Sequence, residues 1–263
     1  MGRRKPPYHN RMNAPSVIVI TKPDSRRHQL ALEHLRAHGI EPVISPAVFL
    51  EGHPESHPCY DHLHRITQLG YGLTKGEVGC FLAHRKAWEK VIELGSATLV
   101  MEDDARMEPG LPANLALLAD SIEGSDLVVR LYSFRHPPGK VWRQLTVKIV
   151  VVRPLAAGSS AVAYVLTPQS ARRLLAASDI FWLAVDEYMD DEFAHGCAIL
   201  QAKPELIRHE DDGSSLIGAR SKPAIKPLAK IRREFLRMAR NARQRFWREL
   251  ILWKLGLRFR KTV

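Results

Sequence analysis

The sequence predicts an α/β domain with a mostly parallel central sheet, followed by a basic amphipathic helical tail. Three observations carry this reading. Short continuous β-branched runs, of which Val17-Ile18-Val19-Ile20 is the first, suit strands buried on both faces. They alternate with segments whose apolar residues recur at three- and four-residue steps, the mark of one buried helix face. From Lys222 to Val263 the composition then changes, with fourteen Lys and Arg against two acids, Glu234 and Glu249. The other residues hold 25 basic and 26 acidic groups, so the net charge of +11 belongs to the tail.

The 263 residues make one domain of ordinary size with an appendage. We divide them into a disordered basic N-terminus at 1–13, a globular domain at 14–221 and the tail at 222–263. Forty-five per cent hydrophobic residues support a real core. The three cysteines, Cys59, Cys80 and Cys197, are odd in number and far apart, which fits a reducing compartment. No apolar run reaches about 18 residues, the length of a membrane span. The expected location is cytoplasmic.

In chain order, the strand at 16–20 leads into the polar turn Thr21-Lys22-Pro23-Asp24-Ser25-Arg26-Arg27. A helix marked by Leu30, Leu32 and Leu35 stops at Gly39, and a second strand starts near Pro42. Strand, basic turn, helix and strand form the opening of a nucleotide-binding α/β unit, without the Gly-x-Gly-x-x-Gly of dinucleotide folds. Four histidines between His53 and His64 match no standard zinc spacing and read as a proline-interrupted surface loop. Later elements are a helix at 111–122, a strand at 126–132, irregular strands at 142–152, a strand at 158–166 and a helix opened by Pro168. Asp186 is expected to cap the short helix that follows. A last strand at 200–207 precedes a polar loop.

The most informative stretch runs from Leu73 to Gly110. Val78, Phe81, Leu82, Trp88, Val91 and Ile92 share a helix face, and Gly95 supplies the stop. A strand at 97–101 then ends in Glu102-Asp103-Asp104. Three adjacent carboxylates repel one another and call for a cation or basic groups over them. At the carboxyl end of a buried strand, a divalent metal is the natural occupant.

Leu73-Thr-Lys-Gly-Glu-Val-Gly-Cys-Phe-Leu-Ala-His84 followed by Leu99-Val-Met-Glu-Asp-Asp104 resembles glycosyltransferase family 25. That family contains bacterial lipooligosaccharide galactosyltransferases and collagen galactosyltransferases. The resemblance extends to Ser25-Arg26-Arg27, Asp126–Tyr132, the Gly158–Leu166 strand and Val185-Asp186-Glu187-Tyr188. Ala163 and Ala184 stand where the family has glycine and proline. The resemblance implies a GT-A-like nucleotide-sugar-binding domain and metal-dependent, inverting transfer of a hexose, galactose from UDP-galactose first. Lipopolysaccharide, lipooligosaccharide or another glycan or lipid-linked acceptor would receive it.

Under the resemblance, Glu102, Asp104 and His209 are the metal ligands, for Mn2+ or Mg2+. Thr21, Arg26, Arg27, Lys75, His84 and Asp103 lie on the donor side, and for His84 a buried structural role weighs equally. Asp186, or second Glu187, is the base that takes the acceptor proton. A protein without catalysis on a decayed transferase fold is the alternative. A phosphoesterase would want more clustered ligands than these.

In the tail, Leu228, Ile231, Phe235, Met238, Ala242, Phe246, Leu250, Trp253 and Leu257 form one apolar stripe among basic residues. This pattern suits an anionic membrane surface, here the cytoplasmic face of the inner membrane. A helix docked on its own domain is the bland reading. Nucleic acid is not expected, because charge alone would suffice for it.

Overall fold

A computed structural model describes residues 15–210, 227–257 and 262, with the side chains of 227–233 left aside. The stretch read as a disordered N-terminus therefore lies outside the described residues. The chain opens β1 (Val17–Thr21), α1 (Arg26–Ala37) and β2 (Val43–Pro46). It continues through α2 (His62–Leu69), α3 (Lys75–Leu94), β3 (Thr98–Glu102), β4 (Ala105–Met107) and α4 (Leu111–Ile122). Then come β5 (Leu127–Arg130), β6 (Gly139–Gln144), β7 (Val150–Pro154), β8 (Ala163–Leu166) and α5 (Pro168–Ala176). The short helices α6 (Val185–Asp190) and α7 (Glu192–His195) precede β9 (Ala198–Lys203), β10 (Ile207–His209) and α8 (Pro227–Lys254).

Eight strands form one sheet in the order β2-β1-β3-β8-β5-β9-β7-β6, and β10 pairs with β4 in a two-stranded ladder. Six of the eight run the same way, while β8 and β7 are reversed, so the sheet is mixed by pairing and mostly parallel by direction. The layers follow from alternation along each strand. Val17, Val19, Leu99 and Met101 face α1 and α4, while Ile18, Ile20 and Val100 face α3, α5 and α6. Both faces are covered, so the strands have no polar side and read as continuous apolar runs.

Helix α3 is the best specified element. Thr74 accepts from the Glu77 N–H, and the Glu77 carboxylate accepts from the Thr74 N–H, closing a capping box. Gly95 ends the helix in the left-handed conformation that suits glycine. Gly79 is demanded by space: a Cβ there would lie 2.2 Å from the carbonyl oxygen of Val48. The 47–50 segment thus lies directly on the helix backbone.

Two sequence expectations change. Asp186 is not the cap of α6: the extended residue Ala184 is, and its N–H donates to Glu187 Oε2 at 3.1 Å. The segment expected as a surface loop between His53 and His64 instead carries a 3-10 turn at Pro54–Ser56 and starts α2 at His62. No helix among the described residues is long and apolar enough to cross a membrane.

Helix α8 packs beside α2 and α7, and Trp247 and Ile251 join the hydrophobic core there. Arg243 approaches Asp191 at 3.6 Å, and Arg240 lies over the Trp182 ring. The face turned to solvent is the apolar stripe: Phe235, Met238, Phe246 and Trp253 are 69%, 63%, 70% and 68% exposed. Of the other described residues in the stripe, Leu250 is half-buried and Leu257, past the end of the helix, is buried.

The close approach at Gly79 gives a direct test. Gly79→Ala should cost about 1–3 kcal/mol, because the added methyl must displace the Val48 backbone. A denaturation midpoint equal to the parent's would show that residues 47–50 yield without cost.

Candidate active site

The carboxyl ends of β1 and β3 lie side by side, with Ile20 opposite Glu102 in parallel register. The next residue of each strand therefore meets its neighbour, and Thr21 Oγ1 donates to Asp103 Oδ2 at 2.7 Å. Arg27, in the first turn of α1, reaches over the same edge to Asp103 at 3.7 Å and Asp104 at 3.3 Å. Arg26, one residue earlier, is exposed. Helical geometry turns only one of the two arginines inward.

The β4–β10 ladder delivers the other partner. His209 pairs with Ala105 across it, and His209 Nε2 lies 3.5 Å from Asp104 Oδ2. Tyr132 stacks on the imidazole and Phe134 meets it edge-on, which fixes the ring plane. Arg106 completes this side: its guanidinium donates to the Asp103 carbonyl at 2.8 Å and pairs with Glu210 at 3.0 Å. A groove of about 750 Å³ opens beyond Tyr132, between Pro109, Val147 and Ile207.

Glu102 is met from α3. Its Oε1 lies 3.3 Å from His84 Nε2, on a fully buried histidine of α3. His84 Nδ1 is 2.7 Å from the Tyr164 hydroxyl, which also accepts from the Trp88 indole N–H at 2.8 Å. The buried histidine expected to bond a backbone carbonyl bonds a phenol instead.

The electrostatics follow the crowding. Burial alone would raise Glu102, but the hydrogen bond and charge of His84 hold it below the usual carboxylate range. Burial raises Asp103, against the Thr21 hydrogen bond and Arg27. Asp104 is pushed up to about 6 by burial and then by the charge of Glu102, with His209 and Arg27 only partly compensating. Its Oδ1 is buried and has no hydrogen-bond partner among the described residues. A buried carboxylate oxygen without a donor, in a set of carboxylates and one imidazole, suits a hard divalent cation.

Asp186 joins from α6. Burial and then the charges of Glu102, Asp186 and Asp104 drive the Cys80 thiol well up, so all three carboxylates act on one sulfur. Glu187 is engaged elsewhere, by the buried Arg65 and by the Ala184 N–H. Lys75 reaches the Glu51 carbonyl at 3.3 Å. The structure thus brings Thr21, Arg27, His84, Glu102, Asp103, Asp104 and His209 to the carboxyl ends of β1 and β3, with Asp186 near enough to Cys80 for its charge to act on that thiol. Arg26 stays exposed, and Lys75 and Glu187 are engaged elsewhere. Glu102, Asp104 and His209 do not draw together into one tight triad. Among the described residues only Cys80, His84 and Glu102 place three ligand atoms within 4.8 Å of one another.

Sequence reasoning missed Arg65, Arg106 and Tyr164 altogether. Arg106 carried a signal, as a base two residues past the acids. Tyr164, in an apolar strand run, carried none. Cys80 stood four residues before His84, a spacing that shares a helix face.

The strain on Asp104 can be measured. Its pKa in the fold, about 6, lies above the 3.8 of a free aspartate. The folded chain therefore holds the proton more tightly, and stability falls as pH rises through that window. In EDTA at pH 7.5, Asp104→Asn should melt above the parent, and the gap should close on acidification to about pH 4. Equal melting at pH 7.5 would show that its neighbours do not destabilise this carboxylate.

Comparison with known proteins gives the same outline. Residues 12–189 match the family described as Glycosyltransferase family 25 (LPS biosynthesis protein). The human protein named Inactive glycosyltransferase 25 family member 3 is 36% identical over 123 residues, 46% of this chain and 21% of that protein. An Aedes aegypti Glycosyltransferase 25 family member is 33% identical over 124 residues, 44% of this chain and 20% of its own length. Human Procollagen galactosyltransferase 2 is 45% identical over 56 residues, 21% of this chain and 9% of that protein. The chain thus spans about a fifth of the length of the first two. The family match covers well over half of the chain and includes every acid of the sheet edge: the chain belongs to glycosyltransferase family 25.

Proposed function

We propose that the chain is a metal-dependent, inverting hexosyltransferase of GT-A type. It would move galactose from UDP-galactose, or a related hexose, to a lipopolysaccharide, lipooligosaccharide or other glycan acceptor. One observation carries this reading: acids, a hydroxyl, a guanidinium and an imidazole from four separate elements converge at the carboxyl ends of β1 and β3. Open α/β sheets bind their ligands at such ends.

Each residue has a part. Arg27, already poised over the acids, would meet the donor diphosphate, for which guanidinium geometry is suited. Thr21 holds Asp103 in place to accept from the ribose. Mn2+ or Mg2+, held by Glu102, Asp104 and His209, would neutralise charge building on the departing diphosphate as a Lewis acid. Asp186 would take the proton of the acceptor hydroxyl as the hydroxyl attacks opposite the leaving group. In-line attack inverts the anomeric carbon, so an α-linked donor gives a β-glycoside. Arg65 holds Glu187 and makes Asp186 the better base.

Asp104→Ala should lower Mn2+-dependent turnover of UDP-galactose about a hundredfold or more, since the ion supplies several kcal/mol to the departing group. Circular dichroism would confirm that the variant folds, and turnover at the parent's rate would sink the metal role. The second reading, a fold that has lost catalysis, is favoured by the human relative's name. A panel of UDP-sugars separates the two: no Mn2+-dependent hydrolysis and no thermal stabilisation with any of them would support it.

The solvent-facing stripe of α8 supports an anionic membrane surface as partner, and with it a peripheral place on the cytoplasmic face of the inner membrane. Phe246 and Trp253 project from a helix that also exposes Arg237, Arg245 and Lys254. Phe246→Ser with Trp253→Ser should weaken co-sedimentation with phosphatidylglycerol vesicles about tenfold or more, at about 1.5–3 kcal/mol for each fully buried large side chain. Undiminished co-sedimentation would remove the stripe from the reading.

A further inference from the structure

The tightest cluster of metal-ligating atoms among the described residues is not the acidic run. Cys80 Sγ, a His84 ring nitrogen and a Glu102 carboxylate oxygen all lie within 4.8 Å of one another. Their placement is a product of the fold. Cys80 and His84 stand one turn apart on α3, so their side chains share a face. Glu102 closes the set from the end of β3. Helix α3 is held by its capping box and by the Val48 contact at Gly79.

We propose that Cys80, His84 and Glu102 form a second cation site, one that takes a thiophilic ion such as Zn2+. Sulfur, imidazole and carboxylate make a three-protein-ligand set with a fourth position open, the composition of open zinc sites. A thiolate selects zinc over Mn2+ and Mg2+, which prefer all-oxygen or oxygen-plus-imidazole surroundings. The charges balance: one Zn2+ meets one thiolate and one carboxylate, and the Cys80 proton leaves to solvent. The outer shell is in place as well. A histidine that ligates through Nε2 presents its Nδ1–H outward, and Tyr164 stands 2.7 Å from that nitrogen. The phenol oxygen has two lone pairs, enough for both the His84 and Trp88 N–H groups.

The site has a functional consequence because Glu102 belongs to both sets. An ion bound to Cys80 and His84 claims the carboxylate that the acidic run would lend to Mn2+. Zinc and manganese are therefore antagonists here, and this part of the proposal rests on the transferase reading. The binding itself does not.

Co2+ added to the purified full-length chain reads binding without catalysis. A near-ultraviolet thiolate-to-cobalt charge-transfer band is expected at one equivalent. The band should vanish in Cys80→Ala and persist in Cys59→Ala and in Asp104→Asn. Thermal melting would confirm that Cys80→Ala folds, and Zn2+ should raise the melting temperature of the parent but not of that variant. No thiolate band in the parent, or a band that survives Cys80→Ala, overturns the site. For the antagonism, Zn2+ should inhibit Mn2+-supported turnover at least tenfold less strongly in Cys80→Ala than in the parent. Equal inhibition overturns the sharing of Glu102.

Discussion

Three consecutive carboxylates at a buried strand end repel one another, and much of the molecule answers that constraint. Neighbouring residues on a strand end point in different directions, so each acid meets a different element. Glu102 meets α3 through His84, Asp103 meets β1 through Thr21, and Asp104 meets α1 and β10 through Arg27 and His209. Local compensation is uneven. Glu102 is held ionised while Asp104 is left short of a donor, and this asymmetry is what gives the edge a chemistry.

Behind the acids stands a set of buried arginines. Arg65 holds Glu187, Arg130 holds Asp190 at 2.5 Å, and Arg153 grips Glu192 with both terminal nitrogens. Arg130 and Arg153 rise from β5 and β7, and Arg65 comes from α2. Together they tie α6 and α7 to the sheet and to the helix beside it. Breaking one such pair would leave a buried charge without its partner, at a cost of about 3–5 kcal/mol. The position of Asp186 is thus inherited from the scaffold.

How far the sequence foretold this depends on the range of each interaction. The capping box of α3, its glycine stop and the acid run lie within a few residues of one another, and all were legible. Strand order and the reversal of β7 and β8 were not, because pairing partners are chosen by topology. Asp186 looked like a cap since aspartate is favoured there, yet Glu187 from the third helical position serves the Ala184 N–H instead. Periodicity placed Phe235, Met238, Phe246 and Trp253 on one face but could not say which face packs. Trp247 and Ile251 took the core, where their neighbours Arg240 and Arg243 found Trp182 and Asp191. Tyr164 is 80 residues from His84 and Glu187 is 122 from Arg65, separations that no local pattern reports.

The arginine grips also bear on how this chain can vary in length. Their carboxylates sit at positions 187, 190 and 192, across the two turns that follow Asp186. One residue inserted or lost between Glu187 and Asp190 would rotate Asp190 by about 100° around α6 and strand Arg130. The 144–149 hairpin, by contrast, is closed by Thr146 and carries a fully exposed Val147 at its tip. Insertions and deletions should therefore accumulate in natural variants at that hairpin and be absent from 186 to 192. The spacing of these acids is a fixed length in a chain whose loops are free to drift.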